Sequence, residues 1–270
     1  MKNKKNRQKM NRPTSVCLPL LKRKRAYAII FAFASELTPA IEAEYAARRF
    51  LCNEFFSSFY ERRVRMNTCY IIAAGECGKI ELERDESDFV ICADAGYRKA
   101  LENDIKPDLV VGDFDSLGKI PQLENVEVHP VVKDETDTFF ALCRGLERGY
   151  KSFTVFGALG GRLDHTVANL QLLKFLCERG AQCVLISERE TVTAVMNGSI
   201  TFPQGETGVV SVFSISDSST GITERGFKYE LDNAELTSSF PLGVSNELTG
   251  EGAEISVKDG VLLIIRETEV

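Results

Sequence analysis

Residues 109–116 read Leu109-Val110-Val111-Gly112-Asp113-Phe114-Asp115-Ser116, an apolar run that ends in two carboxylates. On an extended backbone, residues i and i+2 point to the same side, so we expect Asp113 and Asp115 to face one way and Phe114 the other. Two carboxylates at a strand exit are unfavourable unless a positive charge lies there. Mg²⁺ is the cation we expect, because it prefers oxygen ligands and often binds together with a phosphate. A solvated turn is the alternative, because Gly-Asp and Asp-Ser are common turn dipeptides.

A regular alternation of strands and helices surrounds this stretch between Met66 and about Ser187. Strands are predicted at 69–74, 88–93, 109–111, 126–131, 152–156 and 182–187, and helices at 97–102, 137–148 and 162–178. Apolar strands interleaved with helices predict an α/β domain whose mainly parallel sheet has helices on both faces.

The sequence changes character after Glu190. Short β-branched stretches alternate there with turn signals at 203–205, 232–233, 241–243 and 258–260, and no clear helix follows. This pattern is typical of a small antiparallel sandwich or barrel. We therefore expect an α/β domain over residues 66–190 and a small all-β sandwich domain over residues 191–270.

The first 65 residues differ from the rest in charge. They carry 15 Lys/Arg and 5 Asp/Glu, a net charge of +10, whereas the remainder carries 18 and 34, a net charge of −16. Such a basic segment could touch nucleic acid or an anionic membrane, and its apolar stretch resembles that of a signal peptide. It is equally consistent with a disordered extension or with a start codon assigned too early. We favour Met66 as the true start, because it directly precedes the first good strand.

The cysteines and histidines give two further expectations. Eight cysteines form no CxxC pair, and several lie inside apolar strand or helix patterns, which predicts free buried thiols in a reducing compartment. With only two histidines in the chain, a zinc site is not expected. No apolar run reaches the roughly 20 residues of a membrane span. We expect a cytoplasmic protein.

Three more predicted strand exits carry polar or glycine-rich stretches, and ligands of open parallel sheets bind at such exits. The stretches are Asp94-Ala95-Gly96, Lys133-Asp134-Glu135-Thr136-Asp137 and Gly157-Ala158-Leu159-Gly160-Gly161-Arg162-Leu163-Asp164-His165. Each has an ordinary explanation: Asp94, Thr136 and Asp137 can cap helices, the glycines can form a plain turn, and Asp164 and His165 can be surface residues. Four such stretches on consecutive strands are harder to explain separately.

The chemistry of these stretches suits a bound nucleotide. Glycines at a helix start let backbone N–H groups approach a phosphate. Arg162 beside them can donate two parallel hydrogen bonds to the same phosphate. The sequence has neither a Walker motif nor a dinucleotide fingerprint. Several carboxylates with an arginine fit Mg²⁺–nucleotide phosphate chemistry, in which the protein mainly positions reactants and offsets charge.

In these motifs the sequence resembles the thiamin pyrophosphokinase family, over about residues 66–270. The pair of motifs at Gly112–Ser116 and Gly160–His165 is fairly specific, whereas either motif alone is not. The other matching stretches are Ala93-Asp94-Ala95-Gly96, Pro107-Asp108, Asp134-Glu135-Thr136-Asp137, Asn169 and Ser245-Asn246-Glu247.

The resemblance implies an α/β catalytic domain, a β-sandwich that helps bind thiamin, and a homodimer with active sites between subunits. The reaction would move the β,γ-pyrophosphoryl group of ATP to the thiamin hydroxyl, with Mg²⁺, and release AMP. Asp113, Asp115, Asp137 and Asp164 would hold Mg²⁺ or orient the reacting groups. Residues binding ATP or thiamin would be Asp94, Gly96, Ser116, Thr136, Gly160, Gly161, Arg162, His165, Asn169, Ser245 and Asn246.

Two departures and two rival functions qualify the resemblance. Many relatives have Gly-Gly where this chain has Ala95-Gly96, and the chain has no tryptophan to stack on thiamin. A Mg²⁺-dependent phosphohydrolase could use the same acidic exits, because transfer and hydrolysis differ only in whether water is excluded. A non-catalytic sensor of nucleotide or thiamin is the second rival. We expect neither nucleic acid nor a membrane as a partner.

Overall fold

The computed structural model describes residues 66–114, 124–129 and 135–268. Predictions about residues 1–65, Asp115, Ser116 and Asp134 lie outside the described residues. The α/β part contains β1 (Thr68–Ile72), β2 (Phe89–Ala93), α1 (Gly96–Glu102), β3 (Leu109–Gly112), β4 (Val126–Val128), α2 (Asp137–Glu147), β5 (Ser152–Phe156), α3 (Leu163–Cys177) and β6 (Gln182–Ile186). The predicted elements of this part are confirmed where they are described, with ends that differ by one or two residues at most positions.

Six β-strands make up the rest of the described chain. They are β7 (Glu190–Met196), β8 (Ser199–Ser214), β9 (Ser218–Arg225), β10 (Leu231–Thr237), β11 (Gly243–Ser256) and β12 (Val261–Glu267). The turn signals at 241–243 and 258–260 separate strands as expected. Those at 203–205 and 232–233 lie inside β8 and β10, where the ladders shift register, because a bulge absorbs irregular residues without ending the strand.

All described strands belong to one hydrogen-bonded sheet, in the order β10-β9-β11-β8-β12-β7-β6-β5-β1-β2-β3-β4. Strands β1 to β6 pair in parallel, and every pairing from β6–β7 onward is antiparallel. The mainly parallel sheet expected for the α/β domain is present in β1 to β6, but the sheet of the described residues as a whole is mixed, because the antiparallel strands β7 to β12 continue it. The sequence reasoning treated the two halves as separate sheets, whereas the β6–β7 hairpin joins them.

Strands β1, β2, β3 and β5 of the parallel half are buried on both faces. Neighbouring residues of β1 enter different cores: Ile71 packs with Leu142 and Leu173 of α2 and α3, whereas Ile72 packs with Ala100 of α1. Burial on both faces explains why these strands read as continuous apolar runs rather than as alternating patterns.

The β-rich half encloses a core of its own. Phe202, Ile222, Leu236, Ile255 and Leu262 come from β8, β9, β10, β11 and β12 and form one buried cluster. Strand β10 also contacts β8, which is not its neighbour in the ladder, so the sheet curls over this core. The expected all-β domain is present, but its layers are two parts of one curled sheet and not two separate sheets.

None of the helices within the described ranges is long and apolar enough to cross a membrane. The described cysteines are free. Burial raises the pKa of Cys69 and of Cys92 to about 12, so both thiols stay protonated and behave as small apolar side chains.

Candidate functional site

The strand exits that the sequence singled out lie beside one another at one edge of the parallel sheet. Gly112, at the end of β3, packs against Asp94, which follows β2: a β-carbon on Gly112 would lie 3.0 Å from the Asp94 Cα. The Asp94 N–H also donates to the carbonyl oxygen of Val111 at 2.8 Å. The structure therefore brings Asp94 and Asp113 to neighbouring positions, as the sequence analysis expected.

Asp94 has the most unusual environment of these residues. Its backbone is left-handed, with φ of 45°, its side chain is buried, and its Oδ1 has no hydrogen-bond partner among the described residues. Its explanation as a helix cap is wrong, because Ala95 occupies the N-cap of α1 and makes no side-chain capping bond. A buried carboxylate oxygen without a donor is unfavourable, and it indicates a donor or cation supplied from outside the described residues.

Gly96 has a packing role that its place in the motif did not reveal. A β-carbon at this position would collide with the carbonyl oxygen of Ile72 at the end of β1. The first turn of α1 can therefore lie against β1 only if residue 96 is glycine. This contact holds Asp94 and its neighbours at the sheet edge.

The chain reverses its direction along the sheet between β1 and β5, since β2 to β4 extend to one side and β5 and β6 to the other. Ligands of such sheets bind in the crevice at this point. Glycines line it: the Gly75 N–H donates to the Gly157 carbonyl oxygen at 2.8 Å, and Gly160 and Gly161 are left-handed, with φ of 77° and 65°. The glycine-rich turn thus lies where a nucleotide phosphate is expected.

The geometry after Gly112 differs from the extended one assumed from sequence. β3 ends at Gly112, and Phe114 is left-handed, with φ of 60°, and is 3% exposed in the apolar core beneath α1. The backbone therefore turns at Phe114 and is not extended there, while Asp115 lies outside the described residues. A bulky residue with positive φ is strained, and such strain is often found at functional sites.

The start of α2 lies next to this edge. The His129 N–H donates to the Gly112 carbonyl oxygen at 2.9 Å, and the His129 ring stacks on Phe140 of α2 with centroids 3.8 Å apart. Thr136 is the N-cap of α2 and accepts from the Phe139 N–H at 3.2 Å, which confirms its capping role. Asp137 is half-buried in the first turn, so its carboxylate lies near the positive end of the helix.

Arg162 and Asp164 pair with each other at the start of α3. The Arg162 guanidinium donates to both Asp164 oxygens, at 3.2 and 2.5 Å, and both side chains are mostly exposed. This hydrogen bonding with Arg162 lowers the pKa of Asp164 below its usual range. His165 is exposed, whereas Asn169 is buried and donates to the Ala158 carbonyl oxygen at 2.7 Å, which fixes α3 to the glycine-rich turn.

A metal site is not preassembled in the described part of the chain. No three His, Cys, Asp or Glu residues come together there closely enough to hold a metal ion. Of the predicted ligands, Asp115 lies outside the described residues and Asp164 faces Arg162. Asp113 and Asp137 remain as predicted ligands, and Gly112, the residue before Asp113, packs against Asp94.

A second predicted group, Ser245 and Asn246, lies in the β-rich half, on β11. Ser245 is exposed and left-handed, with φ of 57°, and its N–H donates to the Ser211 hydroxyl at 3.0 Å. Asn246 is buried: its Nδ2 donates to Glu224 Oε2 at 2.8 Å and to the Tyr229 carbonyl oxygen at 2.7 Å. Its Oδ1 accepts from the backbone N–H groups of Tyr229 at 3.1 Å and Glu247 at 3.0 Å.

Sequence reasoning missed two members of this second group. Tyr229 is 64% exposed, although Asn246 holds its backbone, and Glu224 is 2% exposed below them. An aromatic residue in the Gly226–Glu230 turn was a readable signal for Tyr229. Nothing in the sequence marked Glu224, because a charged residue within a predicted strand is ordinarily exposed.

Fold and site together define a class of two-domain protein. An α/β domain presents acidic and glycine-rich turns at the carboxyl edge of its sheet, and a β-rich domain continues that sheet. The sequence matches two families, described as "Thiamin pyrophosphokinase, catalytic domain" over residues 80–185 and "Thiamin pyrophosphokinase, vitamin B1 binding domain" over residues 199–262.

Individual relatives point to the same family as these two matches. The thiamine pyrophosphokinase of Bacillus subtilis is 30% identical over 214 residues, which span 76% of this chain and all of that protein. Its crystal structure superposes with a TM-score of 0.68 over the same 76% of this chain and all of that chain. The thiamin pyrophosphokinase of Candida albicans, 18% identical, shares the fold with a TM-score of 0.63 over 78% of this chain and 91% of its own. The chain belongs to the thiamin pyrophosphokinase family.

Proposed function

We propose that this protein transfers the pyrophosphoryl group of ATP to thiamin and so forms thiamin diphosphate and AMP. The thiamin hydroxyl oxygen bonds to the β-phosphorus of ATP, and the bond from that phosphorus to the oxygen shared with the α-phosphorus breaks. AMP leaves with that oxygen, and the hydroxyl proton is released. Membership of the family supports this reaction, as does the presence of both domains in one chain.

The observation that carries the proposal is the unpaired oxygen of Asp94. Asp94 packs against Gly112, the residue before Asp113, at the edge where nucleotides bind to open sheets. Asp108, just before β3, finds its partner within the fold, in Arg84 at 2.7 and 2.6 Å. Asp94 instead keeps one buried oxygen for a ligand, which we identify as ATP.

Mg²⁺ fits the donor set at this edge. Asp113 would hold it, with Asp115, Asp137 and Asp164 as further candidates, because hard oxygen ligands suit this ion. When bound, Mg²⁺ neutralises charge on the phosphate oxygens. Asp113 is half-buried, so its charge acts in a medium less polar than water, where the attraction to a cation is stronger.

The phosphates of ATP would lie on the turn between β5 and α3. The left-handed backbones of Gly160 and Gly161 favour a turn whose N–H groups can face an anion. Arg162 would exchange its present partner, Asp164, for a phosphate, because its fork fits either anion. That exchange would also release Asp164 for Mg²⁺. Thr136 would contribute at the start of α2.

Thiamin would bind to the β-rich domain at Ser245 and Tyr229. The Ser245 hydroxyl is exposed and its backbone is held in an uncommon conformation, so it is available at a fixed place. The Tyr229 ring offers a flat aromatic surface for the cationic thiamin rings. The Asn246 amide has used both donors and both acceptors, so it would position these neighbours and not touch thiamin itself.

We further propose a homodimer and a cytoplasmic location. Tyr229, Phe240, Leu242 and Val244 are about half or more exposed around Ser245, and Leu163 and Val167, four residues apart on α3, are exposed beside Arg162. A second copy would cover both apolar surfaces, and sedimentation of wild-type and Phe240→Ser protein tests this. Free cysteines support a reducing compartment.

The assay that tests the reaction uses ATP, Mg²⁺ and thiamin with the purified chain. Thiamin diphosphate and AMP are expected in equal amounts, and neither should form without Mg²⁺ or with thiamin omitted. ADP or AMP formed at the same rate without thiamin would identify a phosphohydrolase. Binding of ATP or thiamin without any product would identify a sensor.

A further inference from the structure

Asn246 connects three parts of the β-rich domain through its side chain. The amide joins the backbone of Tyr229, by both its N–H and its C=O, to the N–H of Glu247 and to the carboxyl group of Glu224. Two of these contacts use Nδ2 and two use Oδ1, which is the full capacity of the group. Three of the partners are backbone groups, so Glu224 is the one side chain in this set of contacts.

Glu224 occupies a position where a carboxyl group is unfavourable. It lies in β9 between Leu231 of β10 and Ile255 of β11, and it is 2% exposed. Among the described residues, its Oε1 has no hydrogen-bond partner and no cation pairs with it. Burial raises the pKa of this carboxyl above its usual range, against the opposing effect of the Asn246 hydrogen bond.

The fold does not need a carboxyl group here. An apolar side chain of similar length would fill the same space in the cluster formed by Ile222, Ile255 and their neighbours without the penalty of a buried polar group. What such a side chain would not supply is an acceptor for the second Nδ2 proton of Asn246. The contribution of Glu224 is therefore local to the Asn246 amide.

We propose that Glu224 is a positioning residue for thiamin, acting through Asn246 on Tyr229. The inference rests on the proposed function, in which Tyr229 contacts thiamin. Without the acceptor on Glu224, the Asn246 amide is free to turn toward water and releases the backbone of Tyr229. Binding thiamin must then restore the arrangement, so the loss is seen as weaker binding of thiamin while ATP binding is unchanged.

Three variants test this role in the full-length protein. Glu224→Met and Glu224→Leu remove the acceptor, whereas Glu224→Gln keeps an acceptor and removes only the ability to ionise. Glu254→Gln, on the neighbouring strand β11, is the control, because this glutamate is exposed. The measurements are the KM values for thiamin and ATP, the dissociation constant of thiamin by calorimetry, and Tm.

Both apolar variants are expected to raise the thiamin KM and dissociation constant about tenfold, the effect of one buried N–H without an acceptor, with an unchanged ATP KM and a Tm that does not fall. Glu224→Gln and Glu254→Gln should bind thiamin within about twofold of the wild type. An unchanged thiamin KM in the apolar variants would overturn the proposal. So would loss of folding in both, because it would show that the carboxyl group serves the fold.

Failure of the proposed function gives a different result. A wild-type protein that binds thiamin in calorimetry but forms no thiamin diphosphate contradicts the reaction and leaves the binding comparison of the variants intact. A wild-type protein that binds no thiamin overturns both.

Discussion

Asp113 is the described carboxylate on which we expect Mg²⁺–ATP to depend most, because it lies half-buried at the exit of β3 and follows Gly112, which packs against Asp94. Asp113→Asn removes the charge and keeps the shape, so the fold should survive while turnover at limiting Mg²⁺ falls at least a hundredfold, or about 3 kcal/mol. Steady-state rates across a Mg²⁺ titration measure this. Asp104→Asn, at a left-handed turn after α1, is the control and should behave as wild type. Equal rates for both variants would remove Asp113 from the metal site.

The contribution of Arg162 to ATP binding is expected to depend on the shape of its side chain as well as on its charge. A lysine keeps the charge but loses the planar fork, so Arg162→Lys should raise the KM for ATP clearly above the wild-type value. Initial rates over a range of ATP concentrations provide the measurement. Arg179→Lys, where the arginine donates to the Phe175 carbonyl oxygen near the other end of α3, is the matched control. Full activity of Arg162→Lys would show that Arg162 acts on ATP only through its positive charge and not through the planar shape of the guanidinium.

Some features of single residues were readable from the sequence and others were not. Motifs at strand exits predicted which residues come together, because the carboxyl ends of parallel strands meet at one edge. They did not predict the backbone of Phe114, since a left-handed conformation of a bulky residue is set by its burial in the core. The pairing of Arg162 with Asp164 and the saturation of Asn246 also depend on three-dimensional neighbours that spacing does not reveal.

At the scale of elements, the first turn of α1 depends on the absence of a side chain at Gly96. A methyl group there would meet the Ile72 carbonyl oxygen, so Gly96→Ala should displace α1 from β1 and destabilise the fold by about 3 kcal/mol or more. Urea denaturation measures the change. Gly198→Ala is the control, because its nearest neighbour, the Met196 carbonyl oxygen, would lie 3.5 Å from the new β-carbon. Equal stability of the two variants would show that α1 can shift away from β1 without lowering the free energy of unfolding.

The ion pair between Glu206 of β8 and Arg266 of β12 should make the free energy of unfolding depend on pH. Burial raises the pKa of Glu206 from 4.5 to about 7, although Arg266 lies 2.7 Å away and opposes the shift. The folded chain then binds more protons than the unfolded chain between pH 4.5 and 7, so this residue makes the free energy of unfolding fall as pH rises through that window.

Glu206→Gln removes this titration. The fall in the free energy of unfolding between pH 4.5 and 7 should therefore become smaller by about 2–3 kcal/mol. Urea denaturation at several pH values measures it. Glu251→Gln, an exposed glutamate on β11, should keep the wild-type dependence. Identical pH profiles for Glu206→Gln and wild type would mean that Arg266 holds Glu206 ionised throughout.

Elements differed in how well the sequence predicted them. Short apolar runs bounded by turns predicted β1, β2 and β5 to within one or two residues, because these strands are buried on both faces. Strand β8 was not predicted over its 16 residues, since it runs through Pro203 and two glycines that ordinarily end a strand. Its pairing with β11 continues through a register shift there, so the ladder outweighs local preference.

At the scale of the whole molecule, the sheet is continuous and its two halves share part of their core. Hydrogen bonds run from β10 to β4 without interruption, and the buried cluster formed with α2 and α3 also includes Val192 of β7 and Leu263 of β12. A second buried cluster lies wholly within the curled β-rich half. The halves are therefore joined by packing as well as by the β6–β7 hairpin, and movement of one half relative to the other would bend the sheet and disturb this shared core.

Residues 1–65 are expected to be dispensable for folding and catalysis. They carry a net charge of +10 against −16 for the rest, and 76% of the chain suffices to match the whole Bacillus subtilis relative. A chain that starts at Met66 keeps β1 to β12 and the three described cores, so it should have the Tm, oligomeric state and turnover of the wild type. Calorimetry, sedimentation and the AMP assay measure these. A chain that starts at Ile80 lacks β1 from the middle of the sheet and should not fold. Loss of activity in the Met66 chain would show the basic segment to be part of the working protein.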